Sequence, residues 1–425
     1  MIDLVCAGRG KAAGVFASEV KLHEFVRGRV FVFGHLDIYA ANAIALVHQI
    51  FCQVVPDEST GSRGQFFYDD WMAGKKLPVY RGHFVPDLRT IELGRWDERD
   101  CEAAFIQLIG QEGLSEARIT EIAPGQTLPA YRLAIDEIVY VVSGSGQTRL
   151  WSADERPDDG HSFEWNERAL FLVPAHQSRQ FANVRGDTPV RLLHYSYLPL
   201  AMSLNPDPDF FFANPYARQR GGDELRRAFS DATLMTDGAN QWRPGTNANS
   251  AYWYGNFFPD MRSWDKLDAH GHRGAGGRTV RIQFAESAMT CHMSVFDATK
   301  YKKAHRHGPG RVIVIPSGEG YSVMWREGGE RVVVPWQENA LFVPPDRWFH
   351  QHFNLGRESA RYLALHPPTQ FHGYAEKAED RAKDQIEYPA EDPWVRQHFA
   401  EELAARGLSS GMPAAAYADT ADAFR

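Results

Sequence analysis

His305 and His307 lie two residues apart in YKKAHRHGPGR, and His350 follows in FVPPDRWFHQHFN. In a strand, side chains two apart project from one face, so both imidazoles can reach a single metal ion. If the strand carrying His350 returns beside the first, His350 completes a three-imidazole set. Three neutral imidazoles with open positions suit Fe(II), and also Mn, Zn, Ni or Cu. The same period puts His352 on the face of His350, either as an acid/base for substrate or dioxygen protons or as a hydrogen-bonded core residue. Tyr301 and Lys303 alternate toward the face of His305, which places at least one of them at the mouth of the site. Trp325 and Trp348 can wall an aromatic substrate. His292, in the preceding strand TCHMSVF, reads as a core residue.

The strands that must carry these residues are written twice. GHFVPDLRT (82–90) returns as GNFFPDMRS (255–263), GSGQTRLW (144–151) as GEGYSVMW (318–325), and FEWNERALFLVP (163–174) as VPWQENALFVPP (334–345). Asn183 matches Asn354. The offsets stay between 171 and 174 residues, so the chain holds two copies of one β-rich unit. Short alternating runs such as EIVYVVSG, TRLWSA, ALFLVPA and RLLHYSYLPL, bounded by turn residues, predict a closed or nearly closed antiparallel barrel of the jelly-roll kind in each copy. A barrel of that size can hold one ligand. The repeat also supplies a control. Tyr131, Leu133 and Arg179 stand in the first copy where His305, His307 and His350 stand in the second, while Gly144, Gly146, Trp151, Pro174 and Asn183 are kept. The first copy is therefore expected to bind no metal and to serve packing, or to be a degenerate effector pocket. Trp325 is matched by Trp151, which favours a structural role for it; Trp348 has no tryptophan counterpart and is the better pocket wall.

Together these residues resemble the two cupin motifs. The first motif places His-x-His three or four residues before a Glu and then a Gly; His305, His307 and Gly318 fit it, with Arg311 where the Glu ligand is expected. The second, Pro-x-Gly-x-x-His-x-x-x-Asn, is matched by Pro345, His350 and Asn354, with Arg347 in place of Gly. The resemblance implies a mainly β bicupin whose second barrel carries a three-His metal site. The run Trp348-Phe349-His350-Gln351-His352-x-Asn354 further resembles the gentisate-type ring-cleaving dioxygenases, bicupins with a three-His Fe(II), although their metal usually sits in the first barrel. That likeness implies an Fe(II)-dependent dioxygenase cleaving an aromatic or related carboxylated small molecule with O2. Arg311 and Arg347 are then candidates to grip a carboxylate in a forked pair, Arg311 facing inward like His305 or engaged in a structural ion pair. Two other readings stay open: a non-oxidative isomerase, lyase or hydrolase using Zn, Mn or Ni as a Lewis acid, and a small-molecule-binding protein with a structural metal. Cupins pair through sheet edges, which implies a homo-oligomer.

The 425 residues suffice for two or three domains. A net charge of −8 argues against a nucleic-acid-binding surface. Cys6, Cys52, Cys101 and Cys291 are scattered without Cys-x-x-Cys spacing, as expected of reduced thiols in a cytoplasmic protein. No apolar run reaches the roughly 20 residues of a membrane-spanning helix. Dinucleotide, P-loop and Gly-x-Ser-x-Gly fingerprints are absent. The expected organisation is an N-terminal segment (1–62), a first barrel (63–203), a linker (204–250), a second barrel (251–372), and a C-terminal helix and tail (373–425). The N-terminal segment reads equally as a strand and short helix packed on the domain or as translated sequence upstream of the natural start. In the linker, DELRRAFS is a helix candidate. The C-terminal helix is predicted to start at Asp392-Pro393 and stop at Gly407.

Overall fold

The architecture was obtained as a computed structural model, which describes residues 67–216, 222–235, 252–265, 268–269, 274, 276–368 and 383–418. The N-terminal segment 1–62, parts of the 204–250 linker and the end of the tail lie outside the described residues.

Each repeat opens with a short arm and continues through eight strands. In the first, arm β1 (Phe84–Val85) precedes β2 (Glu116–Ile122), β3 (Tyr131–Arg132), β4 (Glu137–Ser143), β5 (Ser145–Trp151), β6 (His161–Asn166), β7 (Leu170–Val173), β8 (Ser178–Asn183) and β9 (Val190–Ser196). In the second, arm β10 (Phe257–Phe258) precedes β11 (Thr290–Phe296), β12 (Ala304–His305), β13 (Val312–Ser317), β14 (Gly320–Trp325), β15 (Arg331–Trp336), β16 (Leu341–Phe342), β17 (Phe349–Asn354) and β18 (Ala360–His366). The first repeat orders its sheets β2-β9-β4-β7 and β3-β8-β5-β6; the second repeats this as β11-β18-β13-β16 and β12-β17-β14-β15. Two facing antiparallel sheets in this interleaved order are a jelly roll. A further strand, Cys101–Ile106 or Arg278–Gln283, extends each larger sheet.

The arms are exchanged. Phe84 and Val85 pair with Phe342 and Leu341 of the second repeat, and Phe257 and Phe258 pair with Phe171 and Leu170 of the first. Period-two alternation then sorts the side chains of the larger sheets. Val312, Val314, Leu363 and Leu365 pack with Ile138, Tyr140, Leu193 and Tyr195 in one core shared by the two repeats. The alternate residues Ile313, Ile315, Tyr362 and Ala364 line the second barrel, with Met324 and Phe342. The strand run RLLHYSYLPL stops at Ser196, because Leu198–Leu204 turns into a helix with Pro near its start. The DELRRAFS helix runs Gly222–Ala228. The helix Pro393–Ala404 is capped by Asp392, whose carboxylate accepts the Trp394 amide at 2.9 Å; Gly407 ends it at φ 66°. Its Val395, Phe399 and Leu403 pack on the outer face of the second barrel. Among the described residues no helix is long and apolar enough to cross a membrane.

The second glycine of each repeated Gly-x-Gly admits a tryptophan. Trp165 donates its indole N–H to Thr148 Oγ1 at 2.8 Å, and Trp336 donates to Ser322 Oγ at 3.0 Å. Each indole lies over a glycine: a Cβ on Gly146 would stand 2.2 Å from Trp165, and one on Gly320 would stand 1.9 Å from the Phe353 carbonyl and 2.6 Å from Trp336. The matched asparagines are equally structural. Asn354 Nδ2 donates to the carbonyls of Asp297 (3.0 Å) and Glu358 (2.8 Å); Asn183 does the same to Ala123 (3.1 Å) and Thr188 (2.8 Å). Because backbone cannot move aside as a flexible side chain can, Gly320→Ala is expected to destabilise by about 3 kcal/mol or more. Gly328→Ala, in open space at φ 73°, should cost only about 1–2 kcal/mol. Urea denaturation of both variants checks the ranking; equal losses would contradict the packing account.

Candidate metal centre and its surroundings

His305 and His350 face each other directly across β12 and β17. Their ring centroids are 4.2 Å apart, and the His307 ring lies 4.6 Å from that of His350. One ring nitrogen from each of the three lies within 4.8 Å of the others, and all three residues are buried. Two of the rings are oriented for ligation by the backbone: His307 Nδ1 is 2.7 Å from the Gly308 carbonyl, and His350 Nδ1 is 3.2 Å from that of Trp348. A carbonyl can only accept, so Nδ1 carries the proton and Nε2 keeps its lone pair. The donor set thus fits a divalent ion that accepts imidazole.

His352 follows on the same face of β17, its ring 5.5 Å from that of His350. Its Nδ1 lies 2.7 Å from Ser322 Oγ, the hydroxyl that already accepts the Trp336 N–H. The hydroxyl proton is therefore best placed toward His352 Nδ1, leaving the imidazole proton on Nε2. In the first repeat the same Trp–hydroxyl pair survives, but Phe181 occupies the position of His352. The histidine is thus the added element.

Other residues expected at the site are placed elsewhere. Tyr301 stacks on Phe353 at 4.9 Å and hydrogen-bonds to Glu391, in the cluster beneath the C-terminal helix. Tyr301 bridges to Phe353 whereas His305 pairs with His350, a slip of one residue that inverts the alternation between them. Lys303 accordingly pairs with Glu387 at 2.5 Å, and Lys302, 2 % exposed, turns inward to bond Ser294. Trp325 stacks on Phe349, which alternates with His350 and so lies on the opposite face of β17. Arg347 sits at φ 59°, the left-handed backbone for which Gly is the usual occupant, and its guanidinium binds Asp384. Asp384 also takes Arg306 Nε at 3.1 Å. The carboxylate thereby clamps the strand between His305 and His307 to the loop before His350. Trp348 is half-buried against the apolar lining of the second barrel, 6.2 Å from the ring of His83 on the exchanged arm. Arg311 is 3 % exposed and shares the parity of the inward Ile313 and Ile315.

Sequence reasoning missed Lys302, Ser322, Tyr362, His83 and Asp384. Tyr362 brackets two histidines, with its ring 4.7 Å from His352 and 5.7 Å from His292. His292 is half-buried on the inward face, and its Nδ1 lies 2.7 Å from His366 Nε2. The alternation in ARYLALH could have revealed Tyr362 and His366; nothing local marks His83 or Asp384, which arrive from distant parts of the chain.

In the first barrel, Arg179 and Tyr131 pair across β8 and β3 as His350 and His305 do across β17 and β12. The interior there is an ion network. Glu137 binds Arg118 and, at 3.1 Å, Arg179; it also accepts Tyr131 Oη at 2.9 Å. Arg118 reaches Glu116 at 2.5 Å as well.

Strand order defines the class of fold: two jelly rolls in one chain. No family model matches the sequence, and no curated protein does. Among solved structures, similarity is found to salicylate 1,2-dioxygenase from Pseudaminobacter salicylatoxidans, 15% identical over 60% of this chain and 71% of that one, with a TM-score of 0.42. The same enzyme as an adduct with gentisate gives 15% identity, coverages of 65% and 75%, and a TM-score of 0.43. A variant of oxalate decarboxylase from B. subtilis gives 12%, 66%, 75% and 0.39.

Against the opposing effect of burial, Arg118 above all holds the Glu137 carboxyl well below the ordinary glutamate value of 4.5. A carboxyl depressed in the folded state stabilises fully above that ordinary value, and its contribution is lost as pH falls through the folded one. Glu137→Gln should therefore destabilise by about 3–5 kcal/mol at pH 7, because it leaves buried Arg179 without a carboxylate and Arg118 with Glu116 alone. The gap from wild type should narrow at pH 3. Chemical denaturation at both pH values checks this; a gap independent of pH would count against it.

Proposed function

We propose that the second barrel is the active site of a metal-dependent enzyme, an Fe(II) dioxygenase acting on an aromatic or related carboxylated small molecule. The observation that carries this reading is the convergence of His305, His307 and His350, with two of the rings turned by backbone carbonyls to offer Nε2. Bound there, Fe(II) would supply open coordination positions and the electrons that let O2 react with an organic substrate. The chain's own residues do the rest. Arg311 places buried positive charge on the wall, which favours an anionic substrate, and Lys302 adds a buried amine bonded to Ser294. Trp348 and His83 form an aromatic corner where a planar ring can stack. His352, presenting Nε2–H because Ser322 occupies Nδ1, can hand a proton to oxygen or substrate and recover it. The apolar lining of Phe342, Met324 and Ile313 excludes water. Asp384, through Arg306 and Arg347, keeps the ligand-bearing segments in register.

A second reading is favoured by one feature, the line of His352, Tyr362 and His292 along the wall. Proton-transfer groups in such number also suit non-oxidative chemistry in which Zn or Mn acts as a Lewis acid.

The test is metal analysis of purified wild type, His305→Ala and His350→Ala, followed by oxygen uptake after anaerobic iron loading with a panel of hydroxylated aromatic acids. Near one iron per chain in wild type, lost in the variants, with substrate-dependent oxygen uptake is the expected result. Turnover of such acids without oxygen uptake, sustained by zinc or manganese, would replace it with the Lewis-acid reading. Absence of bound metal in folded wild type would overturn both. Ser322→Ala should retain the metal and lower kcat about 10²-fold, the low end for loss of a positioned acid/base.

A further inference from the structure

The first barrel has its own cavity, about 20 Å³ in volume, lined by Arg99, Arg118, Thr120, Tyr131 and His194 among others. That is room for a water or a small anion. Its charge does not balance. Arg118 and Arg179 are answered by Glu116 and Glu137 through short ion pairs. His194 lies 2.8 Å from Thr120 Oγ1, and burial lowers its basicity, so it adds no charge near pH 7. Arg99 is left over. Its guanidinium lies 3.8 Å from the Tyr131 ring centroid and 5.6 Å from that of Trp96. Ring faces give a cation about 0.5–2 kcal/mol, less than a carboxylate would, and no carboxylate among the described residues bonds it. A half-buried arginine among the rings of Tyr131, Phe212 and Trp96, lining a cavity with a second arginine and a hydroxyl, is a receptor for an anion.

We propose that the first barrel binds a small carboxylate of formate or acetate size, gripped by Arg99 at the rim and ordered by Thr120 and Arg118 within. Planarity selects the ligand: a guanidinium fork matches two coplanar oxygens. The site is separate from the histidine cluster and needs no metal.

The experiment is calorimetric titration of the full chain with sodium formate and sodium acetate against sodium chloride at constant ionic strength, near pH 7.5. Untreated and chelator-treated wild type are compared with Arg99→Gln and Thr120→Val. Saturable carboxylate binding, unchanged by the chelator, at least tenfold weaker in Arg99→Gln and several-fold weaker in Thr120→Val, is expected. If Arg99→Gln does not fold, Thr120→Val decides alone. No saturable binding to folded wild type, binding abolished by the chelator, equal binding of chloride, or full affinity in a folded variant would each overturn the assignment.

Discussion

A polar side chain that points into a jelly-roll barrel leaves water behind, and it must find a partner among what the barrel itself provides. This constraint shapes both halves of the molecule. In the first barrel it is met by charge: Glu137 and Glu116 face Arg118 and Arg179, with Tyr131, Tyr68 and Ser196 taking further lone pairs. In the second it is met by imidazoles: those of His307 and His350 turn Nδ1 to backbone carbonyls, and one ring nitrogen from each of the three converges. The backbone is the same in both. Cross-strand pairing puts positions 131 and 179, and 305 and 350, opposite each other, and what those positions become chemically is settled by the residues placed there.

The two halves are not independent beads. Each arm completes the other repeat's sheet, and the shared core between the larger sheets draws Tyr195 and Leu193 from one side and Leu363 and Leu365 from the other. The coupling reaches the candidate site. Gly310, next to Arg311, has its carbonyl held by Ser115 Oγ (3.0 Å) and Tyr195 Oη (2.7 Å), both from the first repeat. His83 arrives beside Trp348 on the exchanged arm. The barrel without the imidazole cluster therefore supplies a wall and a brace to the one that has it.

Most of the fold was legible because period-two alternation and the internal repeat report the same thing twice. Agreement between GSGQTRLW and GEGYSVMW marked structural glycines, and disagreement at 131, 133 and 179 marked chemistry. The histidine cluster was legible for the same reason, since His305 ends one strand, His307 follows it by two residues, and His350 sits on the returning strand. Tyr301 was misread because a one-residue slip lies between it and His305, and no residue type signals a bulge. Trp325 could wall a pocket, but its match to Trp151 favoured a structural role; its outward parity is fixed only by its pairing with Phe349. Lys302 became inward by that same slip. Asp384 and His83 were illegible in principle: their roles arise from chain crossings far from the motif.

Charge has been exchanged between the repeats at one position and replaced at another. Glu137 stands where Arg311 stands, and Arg179 where His350 stands. These differences depend on one another. A histidine at 179 alone would leave Glu137 tied to Arg118, whose own counterpart in the second barrel is His292; the first barrel could regain ligands only by losing both arginines together. Conversely, a glutamate at 311 would bring a carboxylate into a barrel built around imidazoles and the buried Lys302. Each interior is a self-consistent solution to burial, separated from the other by several simultaneous substitutions. That interdependence explains how two barrels of one architecture can sit in one chain with an ion network in one and a cluster of imidazoles in the other.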